Sequence, residues 1–126
     1  MKPEIVQTDA APKAIGPYSQ AVKFGNVVYC SGQISLDPAT NQMVGATVAE
    51  QTERVMQNLS AVLSAAGSGF DRVLRCSIFL VSIGDFAAVN EVYGKRFTTH
   101  KPARATIAVK ELPKGALVEI DCTAAI

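Results

Sequence analysis

The chain has 126 residues, 48% of them hydrophobic, with 12 Lys and Arg against 11 Asp and Glu for a net charge of +1. That length predicts one domain, residues 1–126, with enough apolar material for a real core. So even a charge balance argues against a surface built to hold nucleic acid by its phosphates.

In chain order, the opening "MKPEIVQTDAAPKAI" lacks the apolar region of a secretory signal, so a cytoplasmic protein is expected. "AIGPYSQAVKFGNVVYCSGQ" then reads as a turn, a strand, a tight turn at Gly25-Asn26 and a second strand over Val27 to Ser31, ended by Gly32. "SLDPATNQMVG" is turn-rich, and Asn41 in it tolerates a positive φ. "TVAE" is a capping box with Thr47 as N-cap, and Val48, Val55, Leu59, Val62 and Ala66 follow at helical spacing until Gly67 stops the helix. Gln51, Arg54, Gln57, Ser60 and Ser64 are expected on its water face.

"VLRCSIFLV", 73–81, has the length and composition of an internal strand. Its "IFLV" is the longest apolar run, far short of a membrane span, so no membrane partner is expected. A second helix is predicted from Asp85 to Thr98, with a core stripe of Phe86, Val89, Tyr93 and Phe97. "ATIAV" and "ALVEIDCTAA" are two further strands. The pattern predicts an α/β (α+β) two-layer sandwich, a mixed sheet of five or six strands with both helices on one face. The crossover from strand 73–81 to 105–109 should be right-handed and parallel. In the last strand Leu117, Glu119, Asp121 and Thr123 face away from the helices. That set is too polar for a dry core and too apolar for free solvent, which predicts an oligomer interface, with a ring of subunits as one solution.

Cys30, Cys76 and Cys122 are odd in number and far apart, with no C-x-x-C, and His100 is the single histidine. No metal site is expected, and the thiols read as small buried hydrophobes of a reduced protein. Neither a P-loop nor a G-x-G-x-x-G is present, so no nucleotide cofactor is expected.

Arg104, in "HKPARAT", enters a strand where an unpaired guanidinium is costly. An ion pair with Glu119 or Asp121 would explain it, and so would a bidentate clamp on a ligand carboxylate, worth roughly 1.5–3 kcal/mol per charged hydrogen bond. Glu119, mid-strand between Val118 and Ile120, is either a salt-bridge partner or a general acid/base whose pKa partial burial raises. Asn90 borders the buried stripe and can satisfy a backbone group or shape a pocket. Tyr18, in a Gly-Pro turn, and Ser31-Gly32, where a small residue lets a ligand approach backbone amides, complete the candidates. If the last two strands formed a simple hairpin, Arg104 and Glu119 would stand roughly 13–17 Å apart at about 3.3 Å per residue. Either those strands flank a third one, or a shared pocket is assembled across chains.

Several stretches together are more specific than any one residue. "AAPKAIGPYSQAV", "VVYCSGQISLDPAT", "QTERVMQNLSAVLSAAGSGFDRVLRCSIFLVSIGDFAAVNEVYGKRF", "KPARATIAV" and "ELPKGALVEIDCTA" cover nearly the whole chain in order. In them the chain resembles the Rid family (reactive intermediate deaminases, also called YjgF or L-PSP). The resemblance implies a chorismate-mutase-like homotrimer with clefts between subunits, and strand 73–81 lying between the strands of Arg104 and Glu119. It implies hydrolysis of enamine and imine intermediates, such as 2-aminoacrylate, to 2-keto acids and ammonia without a cofactor. Arg104 matches the arginine that binds the substrate carboxylate and Glu119 the glutamate that positions water. Tyr18, Ser31, Gly32 and Asn90 match the pocket lining, and the backbone at Thr106 is a further substrate contact. Thr106 stands where relatives often have cysteine, and Asn41 where they often have glycine. An RNA-cleaving translation inhibitor, a 2-keto-acid sensor and a chaperone-like trimer are the alternatives the resemblance leaves.

Overall fold

The computed structural model describes residues 1–126. Six strands form one mixed sheet: β1 (Glu4–Val6), β2 (Ala21–Phe24), β3 (Val27–Gln33), β4 (Val73–Leu80), β5 (Ala103–Ala108) and β6 (Val118–Ala125). Their spatial order is β1-β2-β3-β6-β4-β5, and only β4 and β5 run parallel. Two helices, α1 (Val48–Ala65) and α2 (Phe86–Gly94), pack on one face of the sheet and share one core with it. The α/β architecture with two helices on a six-stranded sheet is the one the sequence pattern predicts.

Local chemistry explains the boundaries of α1. Thr47 Oγ1 accepts from Glu50 N–H at 3.2 Å, and Glu50 Oε1 accepts from Thr47 N–H at 3.2 Å, so both ends of the capping box close. At the other end Gly67 adopts φ +83°, and Ser68 N–H reaches back to Leu63 C=O at 2.8 Å. Val55, Met56, Leu59, Val62 and Leu63 are the buried stripe. Across the sheet, Val118, Ile120, Cys122 and Ala124 of β6 meet that stripe. Cys30, Cys122 and Cys76 stand opposite one another on β3, β6 and β4, all buried and all free thiols.

Five details differ from expectation. The strand β1 pairs with β2 although three residues of "EIV" are too few to show a period. Gly32 does not end β3; the strand continues to Gln33 through a register irregularity between Cys30 and Gln33. α2 ends at Gly94, because the chain turns there to bring Phe97 back against Tyr93, with ring centroids 4.7 Å apart. Phe86 is exposed instead of buried, since it sits at the open end of α2 beside Arg104, and Val92 is buried in the stripe. Gln51 is buried, not on the water face.

The other sheet face carries no helix. Ile5, Tyr29 and Ile107, 73%, 53% and 50% exposed, lie on it in register with Val22, Thr123 and Phe79. No helix is long and apolar enough to cross a membrane.

Candidate functional site

The sequence candidates separate into two clusters. Glu119, Ser31, Gly32 and Tyr18 line one cavity of about 620 Å³. Arg104 and Asn90 line another of about 480 Å³, together with Tyr93.

Glu119 projects from the middle of β6, opposite Phe79 of β4. Side chains alternate along a strand, so Glu119 points away from the helices while Cys122, three residues on, points into the core. It is half-buried, and that desolvation, followed by the nearby Asp121 carboxylate, pushes its pKa above the ordinary value of 4.5. Asp121 is itself pushed up by burial, partly offset by hydrogen bonds from Ser77 and the charge of Arg75.

The irregular stretch of β3 makes room for this carboxylate. A Cβ added at Gly32 would run into the Glu119 carboxylate and meet its Cγ at 3.1 Å, so any larger residue there makes that side chain shift. Ser31 is tied in place on both sides: its N–H donates to Gln20 C=O at 2.9 Å and its Oγ to Ser19 C=O at 2.6 Å.

Three buried amides hold the surrounding walls, and none was a sequence candidate. Gln20 Oε1 accepts from Thr8 N–H at 2.7 Å, while its Nε2 donates to Pro12 C=O at 2.8 Å. Asn58 Nδ2 donates to Leu36 C=O at 3.0 Å and Ile34 C=O at 3.3 Å. Gln51 Nε2 donates to Gly45 C=O at 3.1 Å, and its Oε1 accepts from Leu117 N–H at 2.9 Å, two residues before Glu119. The signal was present for two of them. Gln51 lies four residues before Val55, and Asn58 lies four before Val62, so both fall on the apolar stripe of α1. A polar residue there has to satisfy a buried backbone group.

Arg104 sits on β5, the sheet edge, just after Pro102, which favours extended chain at the residue before it. Phe86, Asn90 and Tyr93 of α2 are spaced i, i+4, i+7 and share the helix face turned to it. Arg104 Nη1 donates to Asn90 Oδ1 at 2.6 Å, and its guanidinium carbon lies 5.4 Å from the Phe86 ring centre and 5.1 Å from that of Tyr93. No carboxylate of the chain pairs with it; the two ion pairs are Lys23–Glu4 and Arg96–Glu53. An internal ion pair with Glu119 or Asp121 is therefore not what Arg104 makes. Its remaining donors are free for an anion. Burial, then the adjacent Cys76 thiol, holds the Tyr93 phenol neutral. Thr106, two residues along β5, has a buried Oγ1 without a partner.

Strand β4 does lie between the strands of Arg104 and Glu119. The side chains nonetheless diverge. Arg104 is level with Cys76, which faces the helices, whereas Glu119 is level with Phe79 on the opposite face. One chain carries two separate clusters, a half-buried carboxyl of raised pKa in a cavity and a guanidinium on a sheet edge.

Comparison with known proteins places this arrangement. The family model described as Endoribonuclease L-PSP matches residues 8–126. The chain is 57% identical to Protein DfrA of Myxococcus xanthus over 98% of this chain and 96% of that protein. It is 43% identical to the 2-iminobutanoate/2-iminopropanoate deaminase of Homo sapiens over 95% of this chain and 88% of that one. Among solved structures, E. coli TdcF with bound serine superposes with a TM-score of 0.92 at 36% identity, covering 98% of both chains. The family match over nearly the whole length, with these relatives, shows that the chain belongs to the Rid (L-PSP) family.

Proposed function

We propose that this protein hydrolyses short 2-imino acids, and the enamines in equilibrium with them, to 2-keto acids and ammonia. The observation that carries the reading is the division of the site. A guanidinium with free donors and a carboxyl of raised pKa are both prepared for a ligand, on opposite faces of one sheet. Two copies set side by side would unite them, and the uncovered sheet face with exposed Ile5, Tyr29 and Ile107 offers the apolar surface to do so. A closed ring of three such copies, with a cleft at each boundary, is the assembly we propose. The human relative named for 2-iminobutanoate and 2-iminopropanoate supplies the substrate class. Serine in the E. coli neighbour is an amino acid with the same carboxylate to grip.

In this reading Arg104 of one copy binds the substrate carboxylate, steadied by Asn90 and by the rings of Phe86 and Tyr93. Backbone amides at Gly32 and Thr106 orient the rest of the molecule, and Tyr18 closes the side of the cleft. Glu119 of the neighbouring copy takes a proton from water as the oxygen attacks C2. The same carboxyl returns that proton to nitrogen as C=N becomes C–N, then carries the proton of the new hydroxyl to nitrogen, so that C=O forms as the C–N bond breaks and ammonia leaves. Water is the only co-reactant: one C=NH and one H2O become one C=O and one NH3. General acid–base help of this kind contributes about 10²–10⁴-fold, and a carboxyl shifted toward neutrality is suited to it.

The test couples the protein to a serine or threonine dehydratase and follows 2-keto acid release. Wild type should accelerate it, and Arg104→Ala should lose about 10²-fold or more of that acceleration. Near-normal activity of Arg104→Ala would overturn the reading. The family description favours a second reading, RNA cleavage. Against it, the charge is even, and Nε2 of the one histidine, His100, is engaged by Val73 C=O. RNA cleavage that falls steeply with salt would restore that reading.

A further inference from the structure

In a single chain, before a second copy brings its Arg104 edge to it, the cavity around Glu119 is wider than the smallest substrate. About 620 Å³ is the size of pocket that encloses a drug-sized molecule, whereas 2-aminoacrylate has six heavy atoms. Lys13, Lys114 and Asn41 are among the residues that line it. Neither lysine has a carboxylate or hydrogen-bond partner in the chain, since the ion pairs lie at Lys23–Glu4 and Arg96–Glu53.

Two independent features single out these residues. Asn41 and Lys114 are the two non-glycine residues with left-handed backbone, at φ +60° and +56°. Both line this one cavity. Asparagine tolerates this backbone, but it is costly for Lys114, and such strain concentrates at ligand sites. Second, Asn41 Oδ1 is buried without a donor. Lys13 and Lys114 are both exposed at the mouth of the cavity, and the backbone before Lys13 is held where buried Gln20 donates to Pro12 C=O at 2.8 Å.

A lysine ammonium has three donors and no acceptor. One donor can satisfy Asn41 Oδ1, which leaves the others for an anionic ligand group. With Arg104 of the second copy holding the 1-carboxylate, and Glu119 working at C2, an anion here would belong to the substrate's side chain. We infer that Lys114 and Lys13 form a subsite for a second carboxylate, so that this chain also takes 2-imino dicarboxylic acids of four or five carbons. The inference rests on the imine-hydrolase reading above and adds to it the side-chain class. The chemistry at C2 is unchanged: the imine and one water become a 2-keto dicarboxylic acid and ammonia.

The experiment generates imines in place from alanine and from aspartate or glutamate with amino-acid oxidases, and measures kcat/KM for each with the assembled protein. The readout is the dicarboxylic-to-monocarboxylic ratio. Lys114→Met should lower it tenfold or more, with Lys13→Met lowering it less. Lys114→Gly, which accepts the left-handed backbone without strain, should lower it equally, so a folding defect in Lys114→Met does not decide the matter. Salt raised from about 0.05 to 0.5 M should lower the wild-type ratio by screening. A wild type that turns over the alanine-derived imine but not the dicarboxylic ones overturns this inference alone. So does a ratio that moves less than twofold in both Lys114 variants. Failure on every imine overturns the underlying reading, and this inference with it.

Discussion

The two half-sites are built in opposite ways. Around Glu119 the walls are pinned from within by Gln20, Gln51 and Asn58, each buried and each bonded to backbone of a different loop. Around Arg104 there is a single edge strand and one face of α2, with Asn90 as the sole hydrogen-bond partner and two rings as the bed. A general base has to hold water within a fraction of an ångström, and a rigid cavity supplies that. A carboxylate clamp tolerates an open edge, and an open edge is what a second copy can approach. On the proposed function, the difference teaches that the chain places precision where bonds change and accessibility where copies meet.

The largest expected effect breaks or keeps this division outright. Arg104→Ala and Glu119→Ala should each lose about 10²-fold or more of activity alone. Unfolded together and reassembled at equal amounts, they should recover about a quarter of the wild-type rate, because random mixing sets an intact Glu119 beside an intact Arg104 at about one boundary in four. If both residues served a site within one chain, no mixture would recover anything. Next in size is Gly32→Ala. Its Cβ would displace the Glu119 carboxylate, and a displacement near 1 Å costs about 10–100-fold in rate. The assay to use is kcat at saturating substrate, with thermal unfolding alongside; full activity would show that Glu119 is not held as the cavity implies.

Much of this was legible in the sequence. The capping box, the apolar stripe of α1 and the run at 73–81 are local patterns, and the six-stranded sheet with helices on one face follows from them. The alternation in β6 put Glu119 on the uncovered face before any coordinates did. Gln51 was misplaced because its polarity was read as exposure, and Asn58 was not singled out at all, although the spacing of both puts them on the buried stripe. Phe86 was misplaced for the converse reason: an aromatic at helical spacing was read as core, while its ring lies 5.4 Å from a guanidinium at the surface. The opposite facing of Arg104 and Glu119 depends on the β4–β5 register, which pairs residues about 28 apart and leaves no local trace.

A pH series sharpens the picture on the Glu119 side. Burial and Asp121 raise its pKa, so the native chain binds that proton more tightly than the unfolded chain does. Stability should therefore fall as pH rises from the ordinary value of 4.5 through the shifted one. Glu119→Gln should remove that fall, visible as a flatter Tm against pH. The acid limb of activity should have its midpoint above 4.5, since the ionised form is the base. A midpoint at or below it would mean that a second copy brings a cation to Glu119 and cancels the desolvation.

The smallest effect tests the Arg104 side. Thr106 Oγ1 is buried and unpartnered in the single chain, and a lone buried hydroxyl costs about 1–3 kcal/mol. Thr106→Val keeps the shape and removes the hydroxyl. If the edge around Arg104 is as unfinished as the single chain makes it, the substitution should raise Tm by about 3–6 °C for each kcal/mol recovered. If a neighbouring copy supplies the missing partner, Tm should fall instead, and the fall should depend on protein concentration as subunit assembly does. The sign of one calorimetric shift thus tells whether the open half of the site is completed by another copy or by the ligand alone.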